Sequence, residues 1–251
     1  MLFHVRHIAA AATACAALCA AQSAFAVVHI ETSGLIFDSF YSPRAEYLVS
    51  DVDGAATFSL VNAVDRMAYP NMTSYFNDFG SIFQLTAREG YKVTGYSVTG
   101  GFYGDYYVGH SPDGSGLPGS AYSQAAALAY ASDTPNGASF AYGVHSVSNL
   151  NGHSDFRIDS GALEKTGSFY FSFDGYVAGA QSPAVWYGNE PGQTWPYRDY
   201  SLGQVGLKDP LLLTVYTQAV PEPHTYAMTL AGLALLAGMA RRRKRAAQKN
   251  G

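Results

Sequence analysis

Aromatic and polar side chains that could bind a sugar crowd one stretch of the C-terminal third of the chain. Five aromatic residues occur there among glycines, prolines, carboxylates and amides: Trp186, Tyr187, Trp195, Tyr197 and Tyr200. Aromatic rings flanked by polar groups can hold a sugar ring by apolar stacking and hydrogen bonds. Rings that cover one end of a hydrophobic core would give the same pattern. The stretch therefore predicts either a carbohydrate-binding site, with Trp186, Trp195 and Tyr197 as its contacts, or a packed end of the fold.

Two other stretches contain residue types of hydrolases without the matching patterns. Gly109–Asp113 lacks the second glycine of the nucleophile turn of α/β-hydrolases, because Asp113 stands in its place. His153, Ser154 and Asp155 are neighbours in the chain, whereas a catalytic triad is a spatial arrangement. The sequence has no His-Glu-x-x-His motif and no phosphate-binding glycine loop. We interpret these residues as solvated loop residues and expect a protein without catalytic residues.

Asp51 and Asp53 could contribute to a calcium site, because both carboxylates lie on one side of a turn that includes Gly54. The spacing does not fit an EF-hand, in which glycine would stand at Ala56 and the bidentate glutamate at Asn62. An ordinary Asp-Gly turn has the same sequence and is the favoured interpretation. We expect neither a bound metal nor a cofactor.

The first 26 residues have the pattern of a secretory signal peptide. A short region that carries Arg6 precedes an uncharged, alanine-rich stretch, and Ala24, Phe25 and Ala26 form a cleavage site with small residues at its two key positions. Signal peptidase is therefore expected to cleave after Ala26. Both cysteines of the chain lie inside this segment, so the mature protein is expected to have no disulfide and no thiolate metal site.

Three physically distinct pieces follow one another in residues 220–245. The first is an extended segment that cannot join a helix, formed by Val220, Pro221, Glu222 and Pro223. The second is an uncharged apolar run over residues 225–240, roughly 24 Å long as a helix and somewhat shorter than the hydrocarbon core of a bilayer. The third is a cluster of five cations, Arg241, Arg242, Arg243, Lys244 and Arg245. Such a cluster stays cytoplasmic, which predicts a single-pass transmembrane helix, a cytoplasmic tail over residues 246–251 and an N-terminal domain outside.

These three pieces, in this order, resemble the PEP-CTERM sorting signal of exported proteins from Gram-negative bacteria. The resemblance implies recognition by an exosortase, a membrane-embedded protease or transpeptidase, and cleavage near the Pro-Glu-Pro sequence. It also implies delivery to the cell surface or to the exopolysaccharide matrix. His224 departs from the small polar residue usual after the motif. The cationic cluster then acts as a stop-transfer signal that holds the chain in the inner membrane until it is cut.

Residues 27–219 remain as one extracellular domain, long enough to bury a hydrophobic core. This part carries eight Lys and Arg against eighteen Asp and Glu, a net charge of −10, which argues against nucleic acid or anionic lipid as a partner. Few charges, many glycines and tyrosines, and no sustained helical periodicity predict an all-β fold. Seven to ten short strands separated by turn residues favour a single β-sandwich, with a jelly roll as one form of it.

Alternating apolar residues locate individual strands in this domain. In the strand predicted over Tyr91–Thr99, the apolar residues move from odd to even positions at Gly95. This change predicts a β-bulge. The clearest strand places three phenylalanines inward and is expected to end in a turn at Asp174 and Gly175. Phe83 is expected to face the core from another strand. The predicted strands include Val27–Phe37, Thr57–Val64, Ser81–Ala87, Tyr91–Thr99, Ser168–Phe173 and Leu211–Tyr216.

Together these patterns predict an exported protein of the cell surface or exopolysaccharide matrix with a structural or interaction role. The chain is expected to pass through the inner membrane as a single-pass intermediate with its C-terminus in the cytoplasm. Its expected partners are signal peptidase, an exosortase and extracellular polysaccharide. The alternative function is that of a carbohydrate-binding, lectin-like module that acts on extracellular polysaccharide.

Overall fold

The computed structural model describes residues 28–40, 46–69, 72–188, 195–221 and 228–236. Within these ranges the chain forms thirteen β-strands, the short helix α1 (Val61–Arg66) and a helical segment over residues 228–236. The strands are β1 (Val28–Glu31), β2 (Leu35–Ser39), β3 (Tyr47–Val52), β4 (Ala55–Ser59), β5 (Ser74–Ala87), β6 (Tyr91–Tyr107), β7 (Ser120–Ser132), β8 (Ser139–Ser148), β9 (Gly152–Asp159), β10 (Ser168–Ser182), β11 (Ala184–Trp186), β12 (Tyr197–Asp199) and β13 (Leu202–Ala219).

Two antiparallel sheets pack face to face as a β-sandwich. One sheet has the strand order β1-β2-β5-β10-β7-β8 and the other the order β3-β4-β13-β6-β9, while β11 and β12 form a separate pair. Eight of these strands make up the two central orders β4-β13-β6-β9 and β5-β10-β7-β8. These orders are those of two interlocked Greek keys, so the sandwich is a jelly roll. The all-β sandwich expected from the sequence is confirmed.

The core lies between the inner faces of the two sheets, and aromatic rings dominate it. Alternation along β10 places Phe169, Phe171 and Phe173 inward, each without exposed surface. The ring of Phe171 lies 6.0 Å from that of Phe83 in the same sheet and meets Tyr96 of the opposite sheet edge-on at 5.0 Å. Rings that interdigitate in this way hold the two sheets together. The inward positions predicted for Phe83 and for the β10 phenylalanines are confirmed.

The change of apolar phase within β6 is a β-bulge, as the sequence predicts. In the ladder between β6 and β13, the pair Gly95–Tyr216 is followed by Val93–Thr217, which leaves Thr94 as the extra residue. One extra residue reverses the alternation of side chains along a strand. Apolar residues on both sides of the bulge therefore face the core.

Two predicted strands differ from the observed ones. The expected opening strand is two strands, β1 and β2, which pair with each other. A Cβ at Gly34 between them would lie 2.3 Å from Oγ1 of Thr217, so this glycine lets the turn pack against β13. The strand expected over Thr57–Val64 ends at Ser59, and helix α1 follows. The apolar pattern was ambiguous because Leu60 and Val64 are four residues apart, a spacing that fits a helix as well.

The turn expected at Asp174 and Gly175 is also wrong, because β10 continues through both residues. A Cβ on Gly175 would lie 2.8 Å from Sδ of Met67 and 2.9 Å from the carbonyl oxygen of Ala126. The glycine is therefore required for close packing rather than for a turn. At this point β10 pairs with β5 on one side and with β7 on the other, and these two ladders outweigh the local turn preference.

The two ends of the sandwich have different connections. At one end, which we call the distal end, β6 and β10 finish and β7 and β13 begin. The β11–β12 pair is inserted at the same end. At the opposite end, the tail end, Ala219 pairs with Tyr91 as the last residue of β13. The C-terminal segment thus leaves the domain roughly 55 Å along β13 from the distal end, given about 3.3 Å per residue.

The apolar side chains of the helical segment over residues 228–236 are exposed. Between 59% and 74% of the surface of each large side chain is accessible, and none of them joins the hydrophobic core: Met228, Leu230, Leu233, Leu235 and Leu236. No helix in the described part of the chain is long and apolar enough to cross a membrane. The signal peptide, the rest of the predicted transmembrane run, the cationic cluster and the cytoplasmic tail lie outside the described residues.

A buried carboxylate supplies the N-terminal hydrogen-bond acceptor of helix α1. Leu60 precedes the helix and offers no side-chain hydrogen bond. Glu46, only 2% exposed, accepts one hydrogen bond from the backbone N–H of Val61 and another from the side-chain amide of Asn62, both at 2.7 Å. Burial still raises the pKa of this carboxyl group above its ordinary value, because the loss of solvation outweighs the two hydrogen bonds.

We expect Glu46→Gln to change how stability depends on pH. The native carboxyl group binds its proton more tightly than the unfolded chain does, so its contribution to the wild-type free energy of unfolding falls as pH rises from about 4.5 through the native pKa. Glutamine does not titrate, and a flip of the Asn62 amide preserves both hydrogen bonds. Urea unfolding at about pH 4 and about pH 7 measures the effect. The variant should gain stability relative to the wild type at the higher pH, and a difference independent of pH would contradict the assignment.

Candidate functional site

The aromatic stretch predicted from the sequence forms a small hairpin at the distal end, which we call the aromatic hairpin (β11, β12 and Trp195). Trp186 of β11 lies opposite Tyr197 of β12, and the two rings stack with their centroids 5.8 Å apart. Leu117, in the loop between β6 and β7, forms two backbone hydrogen bonds of 2.8 and 2.9 Å with Val185. The hairpin is therefore fixed to a second loop of the domain.

The rings of the aromatic hairpin differ in exposure. Trp195 is 77% exposed and Tyr197 is 45% exposed, whereas Trp186 is half-buried beneath the ring of Tyr197. Tyr187 and Tyr200 are exposed as well. Residues 189–194 lie outside the described residues. The exposed rings do not form a packed end of the core, and Trp195 with Tyr197 provides the open aromatic surface at this end.

A carboxylate at the base of the aromatic hairpin holds the neighbouring loop. Oδ2 of Asp199 accepts a hydrogen bond from the hydroxyl of Tyr107 at 2.6 Å and another from the backbone N–H of His110 at 2.9 Å. These two bonds lower the pKa of the Asp199 carboxyl group below its ordinary value. The group is therefore ionised at neutral pH, and its hydrogen bonds stabilise the position of the loop against the hairpin.

The hydrolase-like residues are not brought together. His153, Ser154 and Asp155 occupy consecutive positions of β9, so their side chains alternate between the two faces of a strand. Interpreting them as loop residues was therefore wrong. Ser154 instead contacts His145 of β8, with its Oγ 3.1 Å from Nε2. Gly109–Asp113 lies in a loop, as expected.

The two residues considered as calcium ligands lie in an ordinary turn, and one of them has another partner. Asp51 accepts hydrogen bonds from the backbone N–H and the hydroxyl of Ser33, at 2.7 and 2.9 Å. Asp53 and Gly54 both have positive φ, 51° and 76°, as a two-residue hairpin turn of this type requires. Within the described ranges, no three His, Cys, Asp or Glu side chains are grouped so that they could hold a metal ion. The ordinary Asp-Gly turn is the arrangement observed.

A cleft on the outer face of the six-stranded sheet was missed by the sequence analysis. Its volume is about 700 Å³, within the range of ligand sites in proteins. We call it the tyrosine cleft, and its lining includes Phe40, Gly80, Tyr130, Asn136, Tyr170 and Asp174. The available signal was the alternation in β10, where Tyr170 and Asp174 take outward positions between inward phenylalanines. The turn expected at Asp174 concealed that signal.

Asp174 is half-buried in the floor of the tyrosine cleft. Its Oδ2 accepts a hydrogen bond from the hydroxyl of Tyr130 at 2.8 Å. Gly80 lies opposite on β5, where a Cβ would be only 2.9 Å from Oδ1, so the glycine makes room for the carboxylate itself. Burial raises the pKa of the Asp174 carboxyl group above its ordinary value, and the hydrogen bond from Tyr130 opposes that rise.

The described strands around the tyrosine cleft carry no lysine or arginine. Strands β5, β7, β8 and β10 contain neither lysine nor arginine. Asp78 and Asp174 are the acidic residues of β5 and β10. Beside the cleft, the ring of Phe76 stacks on Tyr176 at 5.9 Å and is 66% exposed. The face therefore combines apolar rings with negative charge, which disfavours anionic ligands.

The C-terminal motif begins where the last strand ends. The backbone N–H of Val220 donates a hydrogen bond of 2.7 Å to the carbonyl oxygen of Gly90. Pro221, which is exposed, has no N–H with which to continue the ladder. Glu222 and Pro223 lie outside the described residues. The first proline therefore separates the folded domain from the segment that follows it.

Comparison with known protein families bears directly on this C-terminal segment. Residues 219–244 match the family model described as the PEP-CTERM protein-sorting motif. The resemblance identified from the sequence is thereby confirmed. No match was found among curated proteins.

Several solved structures overlap with the chain at low similarity. TmCBM61 in complex with beta-1,4-galactotriose is 11% identical with a TM-score of 0.23, over 71% of this chain and 90% of that one. A structure described as "CBM4 structure and function" is 8% identical with a TM-score of 0.22, over 74% and 87% of the two chains. Similarities at these TM-scores carry no argument about function.

Proposed function

We propose that this chain, which carries a PEP-CTERM sorting motif at residues 219–244, is an exported protein that an exosortase cuts at its C-terminal signal. The released domain is delivered to the cell surface or to the exopolysaccharide matrix. There it has a structural or interaction role and performs no catalysis. The match to the sorting motif is the observation that carries this proposal.

The exposed apolar helix over residues 228–236 supports a membrane-anchored intermediate. Each exposed leucine side chain gains about 1.5–3 kcal/mol when it leaves water, and the core of the domain provides no such burial here. A lipid bilayer provides it, with flanking residues of the apolar run completing the span. The cationic cluster Arg241–Arg245 then remains on the cytoplasmic side, and the domain lies outside.

Accessibility of the motif supports cleavage next to the domain. The ladder of β13 ends with Val220, and the exposed Pro221 cannot extend it. A protease therefore meets extended backbone at the tail end of the sandwich, beside the membrane. Intact-mass analysis of the chain recovered from the cell surface tests the proposal. Loss of the residues beyond the motif is expected, and a C-terminus that still ends at Gly251 would contradict it.

Carbohydrate binding by the domain is the second candidate function. The observation in its favour is the open aromatic surface of Trp195 and Tyr197 at the distal end. Once the tail is in the membrane, this end faces away from the cell, where polysaccharide is available. Trp186 supports the surface from beneath through its stack with Tyr197.

We expect Trp195→Ala to weaken binding to a long polysaccharide about threefold, because a single solvent-exposed ring contributes less than 1 kcal/mol at the edge of an interface. Affinity electrophoresis of the full chain in gels that contain a soluble polysaccharide measures the effect. Tyr47→Ala, which removes an exposed tyrosine ring on β3 outside the aromatic hairpin, serves as the matched control and should bind like the wild type. Equal mobility of the wild type and Trp195→Ala would remove the aromatic hairpin from the binding surface.

A further inference from the structure

We propose that the tyrosine cleft binds an uncharged sugar unit of an extracellular polysaccharide. The proposal rests on the proposed function only in placing the domain where such polymers occur. It assigns the ligand to the middle of the six-stranded sheet rather than to the aromatic hairpin, which lies at the distal end. The residues that carry it are Tyr170, Tyr130, Phe40, Gly80 and Asp174.

The walls of the tyrosine cleft match the apolar faces of a sugar ring. Tyr170 and Phe40 contribute rings to a cleft of about 700 Å³, and aromatic rings pack against the C–H faces of sugars while leaving the hydroxyl groups free. Tyr130 and Asn136 add a hydroxyl and an amide to the same lining. A few placed polar groups within a mainly apolar cleft are the usual composition of a small-ligand site.

The floor provides an acceptor for sugar hydroxyl groups. Tyr130 occupies Oδ2 of Asp174 through a 2.8 Å hydrogen bond, which also orients the carboxylate. Oδ1 packs against Gly80, whose missing Cβ makes room for the carboxylate, and we assign to this oxygen the hydrogen bond from a ligand hydroxyl. A hydrogen bond from a hydroxyl to a carboxylate is about twice as strong as one between neutral groups.

Charge selects among the polysaccharides that could enter the tyrosine cleft. Strands β5, β7, β8 and β10, four of the six strands of this sheet, contain no lysine or arginine. On these strands the carboxylates of a uronic-acid polymer would therefore meet no cation, and they would repel Asp174. A calcium ion requires six to eight oxygen ligands, whereas Asp174 is the only carboxylate among the lining residues that the structure describes. An uncharged sugar is therefore the ligand that satisfies the groups present.

The surface next to the cleft extends the contact to a neighbouring unit of the polymer. Tyr176 follows Asp174 by two positions on β10, roughly 7 Å along the strand on the same face. Its ring stacks with that of Phe76, whose large exposed surface is unusual for phenylalanine. The cleft and this aromatic pair together form a continuous track along the outer face.

The test is affinity electrophoresis of the full chain, solubilised in non-ionic detergent. Separate gels contain a glucan, a galactan, a mannan, alginate as the anionic polymer and chitosan as the cationic one. We expect at least one neutral polymer to retard the chain and alginate to have no effect. Tyr170→Ala and Gly80→Ala should each weaken this binding about tenfold or more, the second because its Cβ would lie 2.9 Å from Oδ1 of Asp174 and displace the carboxylate.

Tyr47→Ala is the matched control, because Tyr47 is an exposed tyrosine on β3 of the opposite sheet, and it should bind like the wild type. The emission of the two tryptophans should stay constant when a short neutral oligosaccharide binds, since neither lines the cleft. Four outcomes would overturn the proposal: no retardation by any neutral polymer, full binding by both cleft variants, retardation by chitosan alone, or binding abolished by Trp195→Ala alone. Each of these outcomes is measured on the full chain before any cleavage. The result therefore does not depend on whether an exosortase processes the chain in cells.

Discussion

Replacement of Pro221, Glu222 and Pro223 by alanine is expected to keep nearly all of the chain uncut in the membrane fraction. The two prolines hold the backbone extended and prevent the apolar helix from continuing into the domain. With alanine at these positions, the helix of residues 228–236 can extend back toward Val220. The extended substrate is then lost, and so is the sequence that an exosortase would recognise. Cell fractionation followed by intact-mass analysis measures the change.

His224→Ser provides the matched control for this experiment. It changes the residue directly after the motif to the small polar type and should leave processing unchanged. A second variant, with Arg241–Arg245 replaced by glutamine, should weaken retention in the membrane, because each cation costs about 2.5–3.5 kcal/mol to move to the centre of a bilayer. Release of the triple-alanine variant at the wild-type rate would show that the cut does not depend on the motif.

Phe171→Ala is expected to lower the free energy of unfolding by about 3–5 kcal/mol, the usual cost of removing a buried phenylalanine ring. This ring has no exposed surface and contacts aromatic rings of both sheets, Phe83 at 6.0 Å and Tyr96 at 5.0 Å. Its loss therefore leaves a cavity between the sheets that neither rigid ladder can close. Urea unfolding followed by circular dichroism measures the change.

Tyr142→Ala is the control for this prediction. Its side chain is 59% exposed on the outer face of β8 and lies opposite Tyr130. Loss of this cross-strand pair should cost no more than about 1 kcal/mol. A cost below about 1 kcal/mol for Phe171→Ala would mean that the sheets do not depend on this contact.

Features that depend only on the local sequence pattern could be predicted from the sequence. The inward phenylalanines of β10 and the bulge at Gly95 follow from alternation alone, since a strand has only two faces. The C-terminal signal was recognisable because its prolines, apolar run and cations each have a separate role. The strand count was too low, since short strands such as β1, β11 and β12 give no periodic signal of their own.

Features that depend on distant partners could not be predicted. The glycine at 175 serves a contact with Met67, far away in the sequence, and so looked like a turn. Helix α1 relies on Glu46, fifteen residues before Val61, for its first hydrogen bond. The tyrosine cleft needs β5, β7 and β10 side by side, an order that local patterns do not contain. Its carboxylate and its glycine, Asp174 and Gly80, lie in two of these strands.

The absence of lysine and arginine from β5, β7, β8 and β10 also affects how the domain survives outside the cell. Proteases of the trypsin type cut after these two residues, and none occurs between Lys92 and Arg157 or between Lys165 and Arg198. Most of the large sheet therefore offers such enzymes no bond to hydrolyse, even when it opens transiently. A limited digest should leave two long fragments, residues 93–157 and 166–198, which contain β7, β8 and β10 of the sheet that bears the cleft.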